Sequence, residues 1–385
     1  MFTECHKEEI DLLIIAGEAS GDEHASILVE KILIQHPELR VAAIGGKNLK
    51  ASGAQFLFDL VDHAVVGVFE VLKNYGFFKK LFAHTVGWIR KFEPKAVLLV
   101  DYPGFNLRLA EALKNKQLSL KGGGQIKVLQ YISPQLWAWK SKRRFKMAKV
   151  LDGLAVIFPF EVDCYKDVDL SVSFVGHPYV SSNYSPSVKF DENGPLLLLP
   201  GSRVQPVQRI LPVFLDASKK LLQEFPDLKI ELPVPNKKIK QVVEVILSEH
   251  TELKNQLKIR DGLKDLRARA TLMSSGTISL ACALSGIPGV ISYRAHPLTY
   301  ILGRILIKVP FLGMANLLLK DEPPYLELIQ DKATGETLFL ALQEILEDEA
   351  SVVLYSEVAG KLKQNLKKPQ DSGVIDWLAE ELNLG

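Results

Sequence analysis

The chain has 385 residues, which is too long for one ordinary domain and suits two α/β domains of about 150–200 residues each. Its 47 Lys and Arg residues against 45 Asp and Glu give a net charge of +2. The overall balance therefore lacks the positive charge typical of nucleic-acid-binding proteins. Cys5, Cys164 and Cys282 lie far apart without CxxC spacing, which favours reduced cytoplasmic thiols over disulfides or a zinc site.

No segment has the pattern of a secretory signal or of a membrane-spanning helix. The first residues are polar and charged and lack an apolar core. The longest apolar candidate, 300–319, is interrupted by Arg304, Lys308 and Pro310. We therefore expect a protein that is soluble or lies on a membrane without crossing it.

Short apolar runs alternate with longer amphipathic stretches along the chain. Runs without internal alternation are typical of buried strands in a parallel sheet, and the stretches between them are long enough for crossover helices. The predicted strands are 12–17, 41–46, 96–101, 127–132, 154–158 and 172–176 in the first half, and 196–201, 229–234, 270–276 and 289–294 in the second.

A stretch rich in Ser, Asn, Pro and Gly separates the two halves and is predicted to be a linker. Doubly wound domains bind ligands at the carboxyl ends of their strands, so we expect the two domains to face a central cleft. Helices at the carboxyl terminus are expected to pack back on the first domain or on a partner subunit. The predicted parts are a domain over 1–180, a linker over 181–195, a domain over 196–350 and a carboxyl-terminal segment over 351–385.

The first predicted strand ends in GEASGD (17–22), and a helix follows with His24 in its first turn. Glycines allow a ligand to approach the backbone, and N–H groups at a helix start favour anions. The spacing matches neither a Walker loop nor GxGxxG. Glu18 and Asp22 are suited to accept hydrogen bonds from sugar hydroxyls. The alternative is a tight turn with Asp22 as a helix cap, and both interpretations stay open here.

The segment VDYPGFN places Asp101 at the end of an apolar strand, facing the proposed cleft. Burial tunes such a carboxylate to take a proton from a hydroxyl nucleophile. The alternative is a strand-end Asp that caps the helix of Phe105, and the position at the cleft favours function. His177 in GHP is either a ligand or, more simply, a strand-end His held by backbone hydrogen bonds.

The second half opens in a similar way, with a strand, a glycine turn and a cation in LLPGSR (198–203). Backbone amides of Gly201 and Ser202, together with the Arg203 guanidinium, are suited to bind a diphosphate leaving group. SSGT (274–277) is a second turn of this kind at a helix start. Many α/β turns look like either one alone, and the presence of both favours a phosphate site.

Two segments combine aromatic and basic side chains. The segment 137–149 has two tryptophans, six Lys or Arg residues and no acid, which suits a nucleic acid backbone, a membrane surface or a solvated helix face. In 65–92 the apolar residues fall near helical spacing, which normally indicates core. Phe69 and Phe77 lie off that stripe among lysines, a pattern that also suits a helix dipping into a membrane interface.

These motifs, in this order, resemble those of the lipid-A-disaccharide synthase family, which are glycosyltransferases of the GT-B architecture with two Rossmann-like domains. The resemblance covers about 13–330, and GEASGD and the SP-x-x-WAW segment with its basic tail are its most specific parts. It implies transfer of 2,3-diacylglucosamine from its UDP derivative to the 6-hydroxyl of 2,3-diacylglucosamine 1-phosphate. The other matching motifs are VVGVFEVL, VDYPGFNLRLA, FPFE, FVGHP, LLPGSR, SSGT, YRAHPLTY and NLLL.

The resemblance implies roles for individual residues. Asp101 is the implied base in a single displacement that inverts the anomeric centre, with no metal or other cofactor. The implied acceptor-side residues are Glu18, Ser20 and Asp22. The implied UDP contacts are Gly201, Ser202, Arg203, Ser275, Gly276, Thr277, Tyr293, Asn316 and Glu327. The implied lipid contacts are Phe69, Leu72, Phe77, Trp137, Trp139, Lys142, Arg143 and Arg144.

The implied location is the cytoplasmic face of the inner membrane, as a peripheral protein without a nucleic acid partner and with a homodimer as one oligomeric option. Ala281 stands where the family usually has a Glu that contacts ribose, and Thr277 or Glu327 is expected to compensate. MAN (314–316) replaces the family's LPN, and Ala25 replaces a common Gly. The alternative functions are another UDP-sugar GT-B enzyme, such as an epimerase, and a nucleotide-sugar or lipid binding protein without turnover.

Overall fold

The computed structural model describes residues 2, 9–64, 75–181, 184–253, 255–296, 300, 303, 309–348, 350–368 and 373–384. The chain divides into two compact units. The first unit consists of Met1–Pro178 and Lys368–Gly385, and the second of Tyr179–Lys367. Each unit has its own sheet and its own hydrophobic core.

The first unit is built around a seven-stranded parallel sheet. Its central strands are short apolar runs that are buried throughout, as expected when both faces of a sheet are covered. The strands are β1 (Leu12–Ala16), β2 (Val41–Gly45), β3 (Gln55–Asp59), β4 (Ala96–Val100), β5 (Lys127–Tyr131), β6 (Gly153–Val156) and β7 (Ser171–Phe174). The helices are α1 (Ala19–Gln35), α2 (Lys47–Ala51), α3 (Leu60–Ala64), α4 (Tyr75–Phe92), α5 (Pro103–Asn115) and α6 (Arg143–Val150).

The second unit contains a six-stranded parallel sheet and a small two-stranded one. The small sheet pairs β8 (Val188–Phe190) with β12 (Leu266–Ala268). The larger sheet contains β9 (Leu196–Leu199), β10 (Ile230–Val234), β11 (Leu257–Asp261), β13 (Ala270–Met273), β14 (Gly289–Tyr293) and β15 (Leu326–Ile329). The helices are α7 (Val204–Glu224), α8 (Lys237–Ser248), α9 (Thr277–Leu284), α10 (Met314–Leu318), α11 (Gly335–Glu347) and α12 (Ala350–Leu366).

The carboxyl-terminal segment is divided between the two units. Helix α12 packs on α9 in the second unit, whereas the last helix, α13 (Val374–Leu382), packs on α1 and β6 in the first. In α13 the side chain of Leu378 is fully buried, and Glu381 forms an ion pair with Lys127 at 2.6 Å. The final helix thus completes the core of the unit that begins the chain.

Both larger sheets have the strand order of a Rossmann-like fold. The orders are β3-β2-β1-β4-β5-β6-β7 and β11-β10-β9-β13-β14-β15, so β1 pairs with β4 and β9 pairs with β13. At these two places the strand order reverses, and the loops after the two strands diverge to leave a crevice for ligands. The predicted strands are all present and the doubly wound α/β fold is confirmed in each unit. That the units face a central cleft stays a prediction.

Helix α4 is the described part of the helix predicted over 65–92. Phe69 and Leu72 lie outside the described residues. The Phe77 ring lies 5.0 Å from that of His63 and 6.2 Å from that of Phe58, and it packs against the core of the first unit. For Phe77 these contacts support the core interpretation over the membrane one. Within the described part of the chain, every helix is too short or too polar to cross a lipid bilayer.

Candidate active site

The first unit brings two predicted segments together where β1 and β4 end. The backbone after β4 turns sharply at Asp101 and Tyr102, whose φ angles of 47° and 46° lie in the left-handed region. Two consecutive residues of this kind without glycine are strained. The Tyr102 ring fills the space beside Gly17, where an added Cβ would lie 2.1 Å from Tyr102 Cδ1. Gly17 is therefore required for this close approach of the two turns.

Asp101 is held at the strand end by its backbone and tuned by its surroundings. Its N–H donates to the carbonyl of Tyr131 at 3.0 Å, and its carbonyl accepts from Asn106 Nδ2 at 2.8 Å. Burial raises the pKa of the Asp101 carboxyl to about 6, and the negative charge of Glu18 adds to the shift, while the backbone amide of Tyr102 opposes it. Asp101 is therefore ionised at neutral pH and is a stronger base than an ordinary aspartate, as a general base requires.

Asp22 is buried and joins two elements of the first unit. Its Oδ1 accepts from the backbone N–H of Gly46 at 2.6 Å and of Leu49 at 3.2 Å, and its Oδ2 accepts from that of Asn48 at 3.0 Å. These amides lie at the start of α2, so Asp22 is a helix cap, although for α2 rather than for its own helix. Asp22 is 2% exposed, and its contact with a sugar acceptor stays a prediction.

Glu18, on the turn after β1, and Ser20, in the first turn of α1, are exposed, and their contact with an acceptor stays a prediction. Burial lowers the pKa of His24 to about 4 and that of His177 to about 3, and the charge of His24 adds to the shift of His177. Both imidazoles are neutral at neutral pH. Neither therefore changes charge in the range in which Asp101 ionises.

In the segment predicted to contact lipid, some side chains are exposed and others are partly buried or paired. Trp137 is half-buried, with its ring edge-on to Phe160 at 5.7 Å. Trp139 is 44% exposed, and the Lys140 Nζ lies 4.2 Å from the centre of its ring. Arg144 donates two hydrogen bonds of 2.6 Å to the Asp167 carboxylate. Lys142 is exposed and Arg143 is half-buried. The outward-facing part is therefore smaller than the predicted set.

The second unit brings its two predicted phosphate turns together where β9 and β13 end. Gly201 has a φ of 114°, and an added Cβ would lie 3.2 Å from the Ser274 Oγ. Each turn leads into a helix, α7 after Arg203 and α9 after Gly276, and helix N-termini favour anions. Gly201, Ser202, Arg203, Ser275 and Gly276 lie on these two turns, and Thr277 is the first residue of α9.

Hydrogen bonds of the Asn316 and Glu327 side chains connect α10 and the loop before it to β15. The buried Asn316 Nδ2 donates to the carbonyl of Tyr325 and to Glu327 Oε1, both at 2.8 Å, and its Oδ1 accepts from the Tyr325 N–H at 2.9 Å. Glu327 also accepts the backbone N–H groups of Leu312 at 2.8 Å and Gly313 at 2.9 Å. The contact of either side chain with UDP stays a prediction.

Two further positions bear on the predicted nucleotide site. Tyr293 ends β14 and is half-buried. Ala281 lies in α9 and is 2% exposed, so its methyl group packs inside the second unit. Thr277, at the start of the same helix, is exposed and is free to contact a ligand there, whereas Glu327 is already engaged.

Similarity to known proteins agrees with this arrangement. A family model described as lipid-A-disaccharide synthetase matches residues 12–373. The chain belongs to the lipid-A-disaccharide synthase family. Relatives include the lipid-A-disaccharide synthase of Geobacter metallireducens, 36% identical over 353 residues that cover 88% of each chain. Lipid-A-disaccharide synthase 1 of Legionella pneumophila strain Lens is 37% identical over 381 residues, 96% of this chain and 97% of that one.

The fold agrees with the family. The crystal structure of Arabidopsis thaliana UGT89C1 with UDP-L-rhamnose matches with a TM-score of 0.60 and 12% identity, over 98% of this chain and 100% of that one. The predicted GT-B fold and family are therefore confirmed. As a member of the lipid-A-disaccharide synthase family, the chain is a glycosyltransferase of lipid A disaccharide synthesis.

Three residues at the sheet edge that carries Asp101 were not identified from the sequence. Tyr102 packs on Gly17, Asn106 holds the Asp101 carbonyl, and Glu161 is a buried acid after β6. For Glu161 the available signal was an acid within the aromatic motif FPFE. Tyr102 and Asn106 were visible in VDYPGFN, but their partners are set by the fold.

The capping role of Asp22 gives a testable stability prediction. Asp22→Ala should lower the free energy of unfolding of the first unit by roughly 2–4 kcal/mol, because three backbone N–H groups lose their acceptor. Hydrogen–deuterium exchange should become faster at Gly46, Asn48 and Leu49. The matched control is Glu23→Ala, an exposed neighbour. Unchanged exchange at these amides in the Asp22 variant would show that the cap does not stabilise α2.

Proposed function

We propose that the chain transfers 2,3-diacylglucosamine from its UDP derivative to the 6-hydroxyl of 2,3-diacylglucosamine 1-phosphate. The products are the β-1,6-linked disaccharide 1-phosphate and UDP. Membership of the lipid-A-disaccharide synthase family supports the substrates. The observation that carries the proposal is Asp101, a carboxylate with its pKa raised to about 6 at the place where the first sheet reverses its strand order.

Asp101 is the proposed general base. Its carboxylate takes the proton of the acceptor hydroxyl as the oxygen forms a bond to the anomeric carbon of the donor. The bond between that carbon and the diphosphate oxygen breaks, and UDP leaves with the electron pair. One displacement of this kind inverts the anomeric centre. The raised pKa favours this step because a general base is most effective when its pKa lies close to the operating pH.

The two phosphate turns of the second unit are the proposed site of the diphosphate. Backbone amides at Gly201 and Ser202 and at the start of α9 are suited to its oxygens, and the exposed Arg203 guanidinium supplies a positive charge that stabilises the leaving group. Asn316 and Glu327 support this side indirectly, because they fix the loop before α10. Thr277 is the proposed group that takes the place of the family's ribose-binding Glu.

The outward face of α6 and the segment before it is the proposed membrane contact. Trp139 and Phe145 are each 44% exposed. A groove of about 410 Å³ beside Phe145 is lined by four lysines and one acid, namely Lys114, Lys142, Lys146, Lys149 and Glu111. Exposed aromatic rings beside lysines suit the headgroup region of an anionic membrane. The proposed location is therefore the cytoplasmic face of the inner membrane, where acylated substrates are held.

The proposal includes a homodimer, which would form through exposed apolar side chains on α12. Val353 and Leu354 on α12 are 62% and 57% exposed. Adjacent apolar side chains on an outward helix face favour association with another protein surface. The family resemblance makes a second copy of this chain the proposed partner.

Removal of the proposed base tests the reaction. Asp101→Ala should lower kcat about 10²–10⁴-fold, because a positioned base contributes that much to proton transfer. In the unsubstituted protein, kcat/KM should fall as the pH drops below about 6, where Asp101 becomes protonated. UDP release from both acylated substrates is the measurement. Asp62→Asn, at an exposed acid, is the control. Near-normal UDP release by the Asp101 variant would assign the proton to another group.

Vesicle binding tests the membrane contact. Replacing Trp139, Lys142 and Phe145 together by Ala should weaken partition onto anionic vesicles about tenfold or more, because aromatic burial and one lysine charge are lost. The matched control replaces Ile34 and Lys264, which are exposed elsewhere. Sedimentation with phosphatidylglycerol vesicles at two salt concentrations measures both. Equal partition of the triple variant and the control would contradict a contact at this face.

A further inference from the structure

Glu161 is a buried acid for which the reaction described above has no role. It lies in the 3₁₀ helix Pro159–Tyr165 directly after β6 and is 2% exposed. Its Oε2 accepts the backbone N–H of Phe158 at 3.1 Å. Acids are rarely buried without a partner or a function, so this position requires a physical account.

Three aromatic residues near Glu161, Trp137, Phe158 and Phe160, form a cluster of rings that is called the aromatic wall below. Phe158 and Phe160 are stacked with ring centres 5.7 Å apart, and Trp137 is edge-on to Phe160 at 5.7 Å. The buried Trp137 indole N–H lies close enough to Glu161 to favour its ionised form, although its geometry falls short of a regular hydrogen bond. Phe158 also contacts the His177 ring at 5.2 Å.

The aromatic wall lies at the same edge of the sheet as Asp101. Strands β4, β5 and β6 are neighbours. Asp101 follows β4, Trp137 lies in the segment after β5, and Glu161 follows β6. The charge of Asp101 acts on Glu161 and disfavours its ionisation. The two carboxyl groups therefore share one electrostatic environment.

We propose that Glu161 is a positioning residue for the reaction at Asp101, with its carboxyl fixing the aromatic wall beside the acceptor. Its hydrogen bond to Phe158 joins the start of the 3₁₀ helix to the end of β6, and its contact with Trp137 joins that helix to the segment after β5. Loss of the carboxyl releases both connections. The inference rests on the proposed function, because it assigns the wall to the same acceptor side.

The protonation state of Glu161 gives the proposal a specific signature. Burial raises its pKa to about 8, against the opposing effects of the Phe158 and Ile157 amides and of Trp137. Between about pH 6 and pH 8 Asp101 is ionised while Glu161 is neutral. Active sites in which one carboxyl acts as an acid and another as a base typically give the two groups different pKa values.

The other titratable groups around Glu161 either keep one charge state in that pH range or have a pKa that the charge of Glu161 raises. Burial raises the pKa of Cys164 and of Tyr165, and the charge of Glu161 adds to both shifts, while Arg143 on α6 opposes that of Tyr165. His177, behind Phe158, stays neutral. Ionisation of Glu161 above about pH 8 therefore adds a second negative charge near Asp101 and weakens binding of an anionic acceptor.

The test compares Glu161→Gln and Glu161→Ala in the full chain. Gln keeps an oxygen for the Phe158 N–H but has no proton to lose. Its kcat/KM at neutral pH should stay within about threefold of the unsubstituted protein, whereas Ala should lose roughly 10–100-fold through misplacement of the wall. The unsubstituted protein should lose kcat/KM above about pH 8, and Gln should not. Asp163→Asn, an exposed acid on the same helix, should keep the unsubstituted pH profile.

A measurement without substrate separates this proposal from the proposed function. The fluorescence of Trp137, taken as the difference from a Trp137→Phe variant, should titrate near pH 8 in the unsubstituted protein and not in Glu161→Gln. That result supports the assignment of Glu161 even if no UDP is released. An alkaline loss of kcat/KM that persists in Glu161→Gln, or a Trp137 titration unchanged in that variant, would overturn the proposal.

Discussion

The partial burial of the Asp101 carboxyl, which raises its pKa, is the constraint on which the first unit depends. The strand order brings the ends of β1 and β4 together, and the left-handed turn at Asp101 and Tyr102 directs the chain back across Gly17. The turn is strained, and strain of this kind persists only where the surrounding structure fixes it. Here the Asn106 amide and the Tyr131 carbonyl hold the backbone on both sides of the side chain.

The two units use one backbone design for two kinds of chemistry. Each places glycine-containing turns where its strand order reverses. In the first unit the side chains at that place are acids, Glu18 and Asp101, which suit the hydroxyl groups of a sugar. In the second unit they are hydroxyls and Arg203, beside two helix N-termini, which suit a phosphate. The division follows from side chains and not from the strands, because the strands of both units are similar apolar runs.

Much of the fold follows from sequence because buried parallel strands are continuous apolar runs. The strands missed by sequence analysis include β11, which reads LKIRD, and β15, which reads LELI. Both lie at an edge of the sheet, where one side is open and charged residues interrupt the apolar pattern. Strand β3 is also an edge strand and was missed for the same reason.

The positions of Asp101 and the phosphate turns were predictable because strand ends in a parallel sheet lie at one edge. The partners of individual side chains were not. Asp22 caps a helix whose amides lie more than twenty residues further along the chain, and Asn316 pairs with Glu327 across a loop and a strand. Such contacts depend on three-dimensional packing, so local sequence patterns indicate the residue type but not the partner.

The most direct test of the account is the pKa of Asp101 itself. It can be measured by carbon-13 NMR of the side-chain carboxyl in the unliganded protein, with Asp101→Asn used to assign the signal. The account predicts a pKa of about 6 that decreases when Glu18 is replaced by Gln, because burial and the Glu18 charge both raise it. A pKa near 4, the ordinary value for aspartate, would show that the carboxyl is hydrated and would contradict its role as a tuned base.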